Sequence, residues 1–131
     1  MILIDTTVWV DYFRNFSTPQ TDWLDREVSL QRLGLTDLIL CEVLQGINTA
    51  RQFDVTHQAL EHFEIYSTGG IQIAVMAANH YRALRRRGVT IRRTIDCLIA
   101  TFCLLHGHQL LHNDRDYDPF ETILGLQVVH P

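Results

Sequence analysis

The chain has 131 residues, 47% of them hydrophobic, and a formal net charge of −4 at pH 7. That length suits one domain of ~100–150 residues, which buries enough surface to need no disulfide framework. Apolar runs such as Leu38–Cys41 and Ile73–Ala78 are far too short to span a bilayer, and Asp5 falls where a signal peptide would be apolar, so a cytoplasmic protein is expected.

Ile2–Ile4 is a short apolar run ending at Asp5, which predicts a buried strand entering a loop. Thr6 and Thr7 are suited to cap the next segment, where Val8, Trp9, Tyr12 and Phe13 recur at helical spacing. Ser17, Thr18 and Pro19 break the chain, and Pro19 suits the first turn of a helix running to about Ser29. A second short strand is predicted at Arg32–Thr36. Asp37 is the expected cap of a helix with Leu40, Val43, Leu44 and Ile47 on its inner stripe, Glu42 among them and Gly46 near its end. Helix is expected again from about Ala50 to Phe63, then a strand at Glu64–Ser67 and a turn at Gly69 and Gly70. Ile71–Arg87 reads as a long helix stopped by Gly88. Thr94 is the expected cap of Ile95–His106, which Gly107 closes and which carries Asp96 in its first turn. Gln109–His112 is a strand, Asn113–Asp118 an acidic loop, Pro119–Leu124 one helical turn and Leu126–Val129 a last strand. Strands alternating with helices predict an α/β fold, a parallel sheet covered on both faces. No repeat, low-complexity tract or linker divides it, so residues 1–131 are read as one domain.

In open parallel sheets, sites form beyond the C-terminal ends of strands, near a switch in topology. Asp5 ends the first predicted strand, and Asp114 and Asp116 follow the fourth, so neighbouring strands would bring these acids to one edge. Glu42 and Asp96 are the two positions hardest to explain structurally, because each lies in an otherwise apolar helical stretch. A lone carboxylate there loses several kcal/mol of solvation or is forced to protonate. Converging carboxylates also repel one another unless a cation lies between them, and magnesium takes such oxygen ligands. Each acid alone has a plain alternative: Asp96 as a first-turn acid favoured by the helix dipole, Glu42 facing solvent, Asp5 paired with an arginine, Asp114 and Asp116 forming a turn.

With these residues in place, the chain resembles the PIN-domain ribonucleases of the VapC toxin type over essentially its whole length. The resemblance rests on Ile2-Leu3-Ile4-Asp5-Thr6-Thr7-Val8-Trp9-Val10-Asp11, on Glu42-Val43-Leu44-Gln45-Gly46, on Arg92-Arg93-Thr94-Ile95-Asp96-Cys97-Leu98-Ile99-Ala100 and on Leu110-Leu111-His112-Asn113-Asp114-Arg115-Asp116-Tyr117-Asp118. It implies a three-layer sandwich with a mostly parallel central sheet. It also implies a magnesium-dependent endoribonuclease, with manganese able to substitute, acting as the toxin of a toxin–antitoxin pair. By position, Asp5 and Asp96 would be the principal metal ligands, with Glu42, Asp114 and Asp116 secondary or acting through water. A VapB-like antitoxin and a homodimer are implied in the same way. Thr7 stands where the family commonly has serine, and Tyr117 where phenylalanine is usual, a difference expected to matter little.

All eleven basic side chains are arginine, and five of them fall within Arg85–Arg93. Arg86, Arg92 and Arg93 are candidate contacts to an RNA backbone, the alternative being a solvated helix end that favours cations. Thr7 is a candidate substrate contact, and Thr7 and Thr94 could each hydrogen-bond a carboxylate or phosphate. His106, His108 and His112 run from a helix end through a strand, an arrangement that does not favour a zinc site. Cys41, Cys97 and Cys103 are odd in number and lack a C-x-x-C spacing, so buried, unbridged thiols are expected. Trp9, Tyr12 and Phe13 are read as core or dimer surface. A receiver-type phosphoacceptor domain would require a lysine beside its acids, and this chain has none. A catalytically silent PIN-fold binding module is the other alternative, and the complete acidic set argues against it. A DNA flap nuclease would need added segments for handling duplex.

Overall fold

The computed structural model describes residues 1–131. Four strands, β1 (Ile2–Ile4), β2 (Leu33–Thr36), β3 (Glu64–Tyr66) and β4 (Gln109–Leu111), form one sheet in the order β3-β2-β1-β4. Every pairing is parallel, with Leu3 opposite Gly34 on one side and Leu110 on the other. Strands buried on both faces carry continuous rather than alternating apolar runs. Accordingly Leu3, Ile4, Leu35, Leu110 and Leu111 are all fully buried.

The connections carry helices α1 (Thr6–Phe13) and α2 (Pro19–Glu27), then α3 (Asp37–Gln45) and α4 (Ala50–Leu60), then α5 (Gly70–Arg86) and α6 (Thr94–His106). From β1 through β3 the chain steps in one direction, and it then crosses back past β1 to reach β4. Right-handed crossovers therefore place α1–α4 on one face and α5 with α6 on the other. The result is the three-layer sandwich expected. The face reverses between β1 and β4, and the crevice opens beyond their C-terminal ends. After β4, a single 3-10 turn at Arg115–Tyr117 leads into α7 (Asp118–Leu124).

Several boundaries differ from expectation for one local reason. Each cap falls a residue earlier: Asp5, not Thr6 or Thr7, caps α1; Thr36, not Asp37, caps α3; and Arg93 precedes α6, leaving Thr94 inside it with no capping bond. A cap residue must keep extended backbone while its side chain reaches back to the first turn, and all three do keep it. Gly107, at φ 69°, closes α6 in the left-handed region that suits glycine. Leu126–Val129 is not a strand: only one bridge, Leu110 to Val128, joins it to β4. With three residues in β4, its outer edge offers little more to pair with. Cys97 and Cys103 are buried and Cys41 is exposed, all as free thiols.

Candidate active site

Asp5 leaves the end of β1 already in extended conformation, and α1 begins immediately after it. Its side chain therefore sits at the sheet edge and caps α1, only 2% exposed. The Oδ2 atom accepts from the Thr7 amide at 3.2 Å and from the Thr7 hydroxyl at 2.8 Å. Oδ1 accepts from the Tyr117 hydroxyl at 2.8 Å. The Thr7 hydroxyl in turn accepts from the Asn113 amide at 3.2 Å, tying the β4 loop to α1. That hydroxyl thus donates to Asp5 and accepts from the β4 loop, which orients the Asp5 carboxylate.

Asp96 enters from α6 on the other face and is 4% exposed. Its Oδ1 lies 3.4 Å from the Tyr117 hydroxyl, while Oδ2 is buried with no hydrogen-bond partner. The nearest cation, Arg93, stands 4.0 Å from Oδ2 and equally 4.0 Å from Asp114 Oδ2. Burial, with repulsion from Asp5, pushes the Asp96 carboxyl up to about 7, and Arg93 only partly offsets this. Burial also holds the Tyr117 phenol well above its usual range, so its hydroxyl is a donor at neutral pH.

Asp114 caps the 3-10 turn by accepting from the Asp116 amide at 2.9 Å. Its own amide donates to His112 Nδ1 at 3.1 Å, which fixes the neutral ring's proton on Nε2. Asp116 turns outward to Arg92, at 3.1–3.3 Å. Glu42, half-buried on α3, accepts from the Thr6 hydroxyl at 2.7 Å.

The five predicted acids therefore converge, but not equally. Asp5, Glu42, Asp96 and Asp114 line a cleft of about 310 Å³ whose one cation is Arg93. One oxygen each from Asp96, Asp114 and Asp116 lies within 4.8 Å of the others, a spacing a single ion could close. Asp5 is outside that tightest trio, and its carboxylate accepts three hydrogen bonds from Thr7 and Tyr117. Between the last two acids, Asp114 faces the cleft and Asp116 is tied to arginine. A buried, unpartnered Asp96 oxygen beside a second and third carboxylate fits a divalent cation held by oxygen ligands.

Of the basic candidates, Arg92 and Arg93 flank this cleft, while Arg86 is exposed at the end of α5. Thr94 is exposed and makes no bond to the site. His106 and His108 group with Tyr66 and Phe102, whereas His112 packs on Tyr117, so the three rings do not meet. Thr6, Asn113 and Tyr117 were not singled out from sequence. The Tyr117 hydroxyl, which a phenylalanine at this position would lack, lies buried between Asp5 and Asp96.

Residues 2–121 match the family model described as PIN domain. The chain is 36% identical to VapC ribonuclease Mb1587 of Mycobacterium bovis, covering 97% of this chain and 96% of that protein. Among solved structures, VapBC2 from Rickettsia felis, bound to a DNA fragment from its promoter, aligns with TM-score 0.75 at 17% identity, over 98% of both chains. VapBC-5 from Mycobacterium tuberculosis, a member of the VapBC family of toxin-antitoxin systems, aligns with TM-score 0.70 at 18% identity, over 98% of this chain and 97% of that one. No helix is long and apolar enough to cross a membrane.

Proposed function

The chain belongs to the PIN-domain family, and from that premise we propose that it is a magnesium-dependent endoribonuclease, the toxin of a toxin–antitoxin pair. One observation carries the catalytic part: Asp96 Oδ2 is buried without a hydrogen-bond partner, in a cleft shared with carboxylates from three other segments. Leaving such an oxygen without a cation costs several kcal/mol. Asp96, Asp5 and Asp114 are the residues that would hold the ion, with Glu42 and Asp116 orienting water around it. When bound, magnesium supplies a water of lowered pKa and offsets charge building on the phosphate, and manganese supplies the same chemistry.

The chain's own residues do the rest. Thr7 and Tyr117 fix the Asp5 carboxylate, and Thr6 fixes Glu42. The acids repel a polyanion, so the approach of RNA falls to the local arginines. Arg93 stands at the mouth, and Arg92 and Arg86 extend the basic surface along the α5–α6 side. We read residues 1–131 as one domain and the protein as cytoplasmic.

The partner readings rest on surfaces. A groove of about 470 Å³ between α1, α3 and α4, lined by Val10, Phe13, Val43 and Ile47 together with polar residues such as Arg14, Asn48 and Gln52, adjoins the acidic cleft through Val10. A VapB-like antitoxin segment seated there would pass over the acids. On α5, Ile71 and Val75 are 86% and 59% exposed, one helical turn apart, and are the surface proposed for a homodimer.

The test is incubation of the purified protein, free of any antitoxin, with total RNA in magnesium or in EDTA. Defined fragments are expected with magnesium alone, and none from an Asp5→Asn variant. Intact RNA under every condition, with binding retained, would instead favour a silent binding module.

A further inference from the structure

We propose that Tyr117 is a positioning residue of the metal site, its hydroxyl fixing the Asp5 carboxylate beside Asp96 toward one shared cation. This rests on the metal-site reading above. The hydroxyl belongs to the 3-10 turn after β4, yet it reaches Asp5 at the end of β1 and Asp96 at the start of α6. It is the one side chain whose polar atom lies within 3.4 Å of both acids.

The ring is rigidly set. Tyr117 is fully buried, with His112 at 4.9 Å and Phe120 at 6.4 Å between ring centroids. A carboxylate offers about four lone-pair positions, two on each oxygen. On Asp5, the two Thr7 donors use those of Oδ2, and Tyr117 uses one of Oδ1. One position on Oδ1 remains for a cation, and its direction is set by the hydroxyl beside it. The phenol has a single proton, given to Asp5 at 2.8 Å; its oxygen lies 3.4 Å from Asp96 Oδ1, and Asp96 Oδ2 stays without a hydrogen-bond partner. Tyr117 thus aims one ligand and leaves the other open. It also registers the loop bearing Asp114 against both.

Partners that orient metal ligands typically account for ~10–100-fold in metal affinity. The Tyr117→Phe variant keeps the ring and removes only the hydroxyl. Titration with Mn2+, followed by the electron paramagnetic resonance of the free ion, should give a dissociation constant about tenfold weaker than that of the unsubstituted protein. The Mn2+ concentration for half-maximal RNA cleavage should rise in parallel, and excess Mn2+ should recover most of the lost cleavage. A purely structural hydroxyl would lower the melting temperature and leave the Mn2+ constant unchanged; that result, or tighter binding, overturns the proposal. Absence of Mn2+ binding by the unsubstituted protein would overturn the metal-site reading itself. Should the phenylalanine variant not fold, 3-fluorotyrosine at position 117 retains the hydroxyl. Its fluorine resonance should then shift on Mg2+ titration, and an unmoved resonance would equally count against the role.

Discussion

At the scale of single residues, Asp96 is a carboxyl that burial and neighbouring acids both work against. Its carboxyl is raised to about 7 from the ordinary 3.8 by burial and by Asp5, Asp114 and Glu42 around it, with Arg93 opposing. A folded-state value above the unfolded one means that the folded chain holds the extra proton between those two limits. Metal-free stability should therefore fall as pH rises from about 4 to about 7, and level off above. Thermal melts in EDTA at pH 5 and pH 8 check this, and Asp96→Asn should flatten the slope. Magnesium should remove most of the loss at pH 8, where Asp96 is ionised and available. Cleavage should accordingly increase through pH 7. A metal-free protein more stable at pH 8 than at pH 5, in a manner Asp96→Asn abolishes, would contradict the assignment.

At the scale of elements, the sheet is held close where β2 meets β3. A Cβ on Gly34 would stand 2.7 Å from the Glu64 carbonyl oxygen and 2.7 Å from Met1 Sδ. The methionine can move, but the paired strand cannot without loosening the ladder. Gly34→Val should destabilise by about 1–3 kcal/mol, as forced overpacking commonly does, and urea unfolding measures it. The end of α5 and the start of α6 form the second testable element. Arg92 is largely exposed despite its pairing with Asp116, and Arg86 has no acidic partner. Reversing both charges, Arg86→Glu with Arg92→Glu, should weaken RNA binding and flatten its salt dependence, since fewer counterions are released. Filter binding across a salt series, in EDTA to prevent cleavage, reads both effects. Unchanged slope and affinity would assign these arginines to solvation of the helix ends alone.

At the scale of the whole molecule, the acidic cleft joins three layers: Asp5 and Asp114 from the sheet edge, Glu42 from one helical face and Asp96 from the other. A cation binding only when all are assembled stabilises the fold as a unit. At a hundred times its dissociation constant the expected gain is about 2.7 kcal/mol. Differential scanning of the EDTA-treated protein against a magnesium series should show a melting temperature that climbs with concentration. Asp96→Asn should abolish that climb; a climb that survives the substitution would place the ion elsewhere.

Local pattern was enough for much of this. Ile2–Ile4 followed by Asp5, the apolar helix around Asp96 and the acidic loop after Leu111 are legible because short-range periodicity and burial of carboxylates in apolar sequence are properties of contiguous residues. The caps of α1 and α3 were misplaced because threonine and aspartate neighbours both offer oxygens, and only backbone direction decides between them; α6 starts after Arg93 with no side-chain cap at all. Leu126–Val129 read as a strand because its composition suits one, while the length of β4's edge set how little of it pairs. The unequal hydrogen bonding of the acids was invisible in the chain order. Which oxygen is satisfied and which left bare depends on donors far away in sequence: Tyr117 lies 112 residues from Asp5, and hydrogen bonds are short enough that only tertiary packing brings such groups within reach. Sequence determined that acids of this kind belong together; the crossover from β3 to β4 decided how they meet.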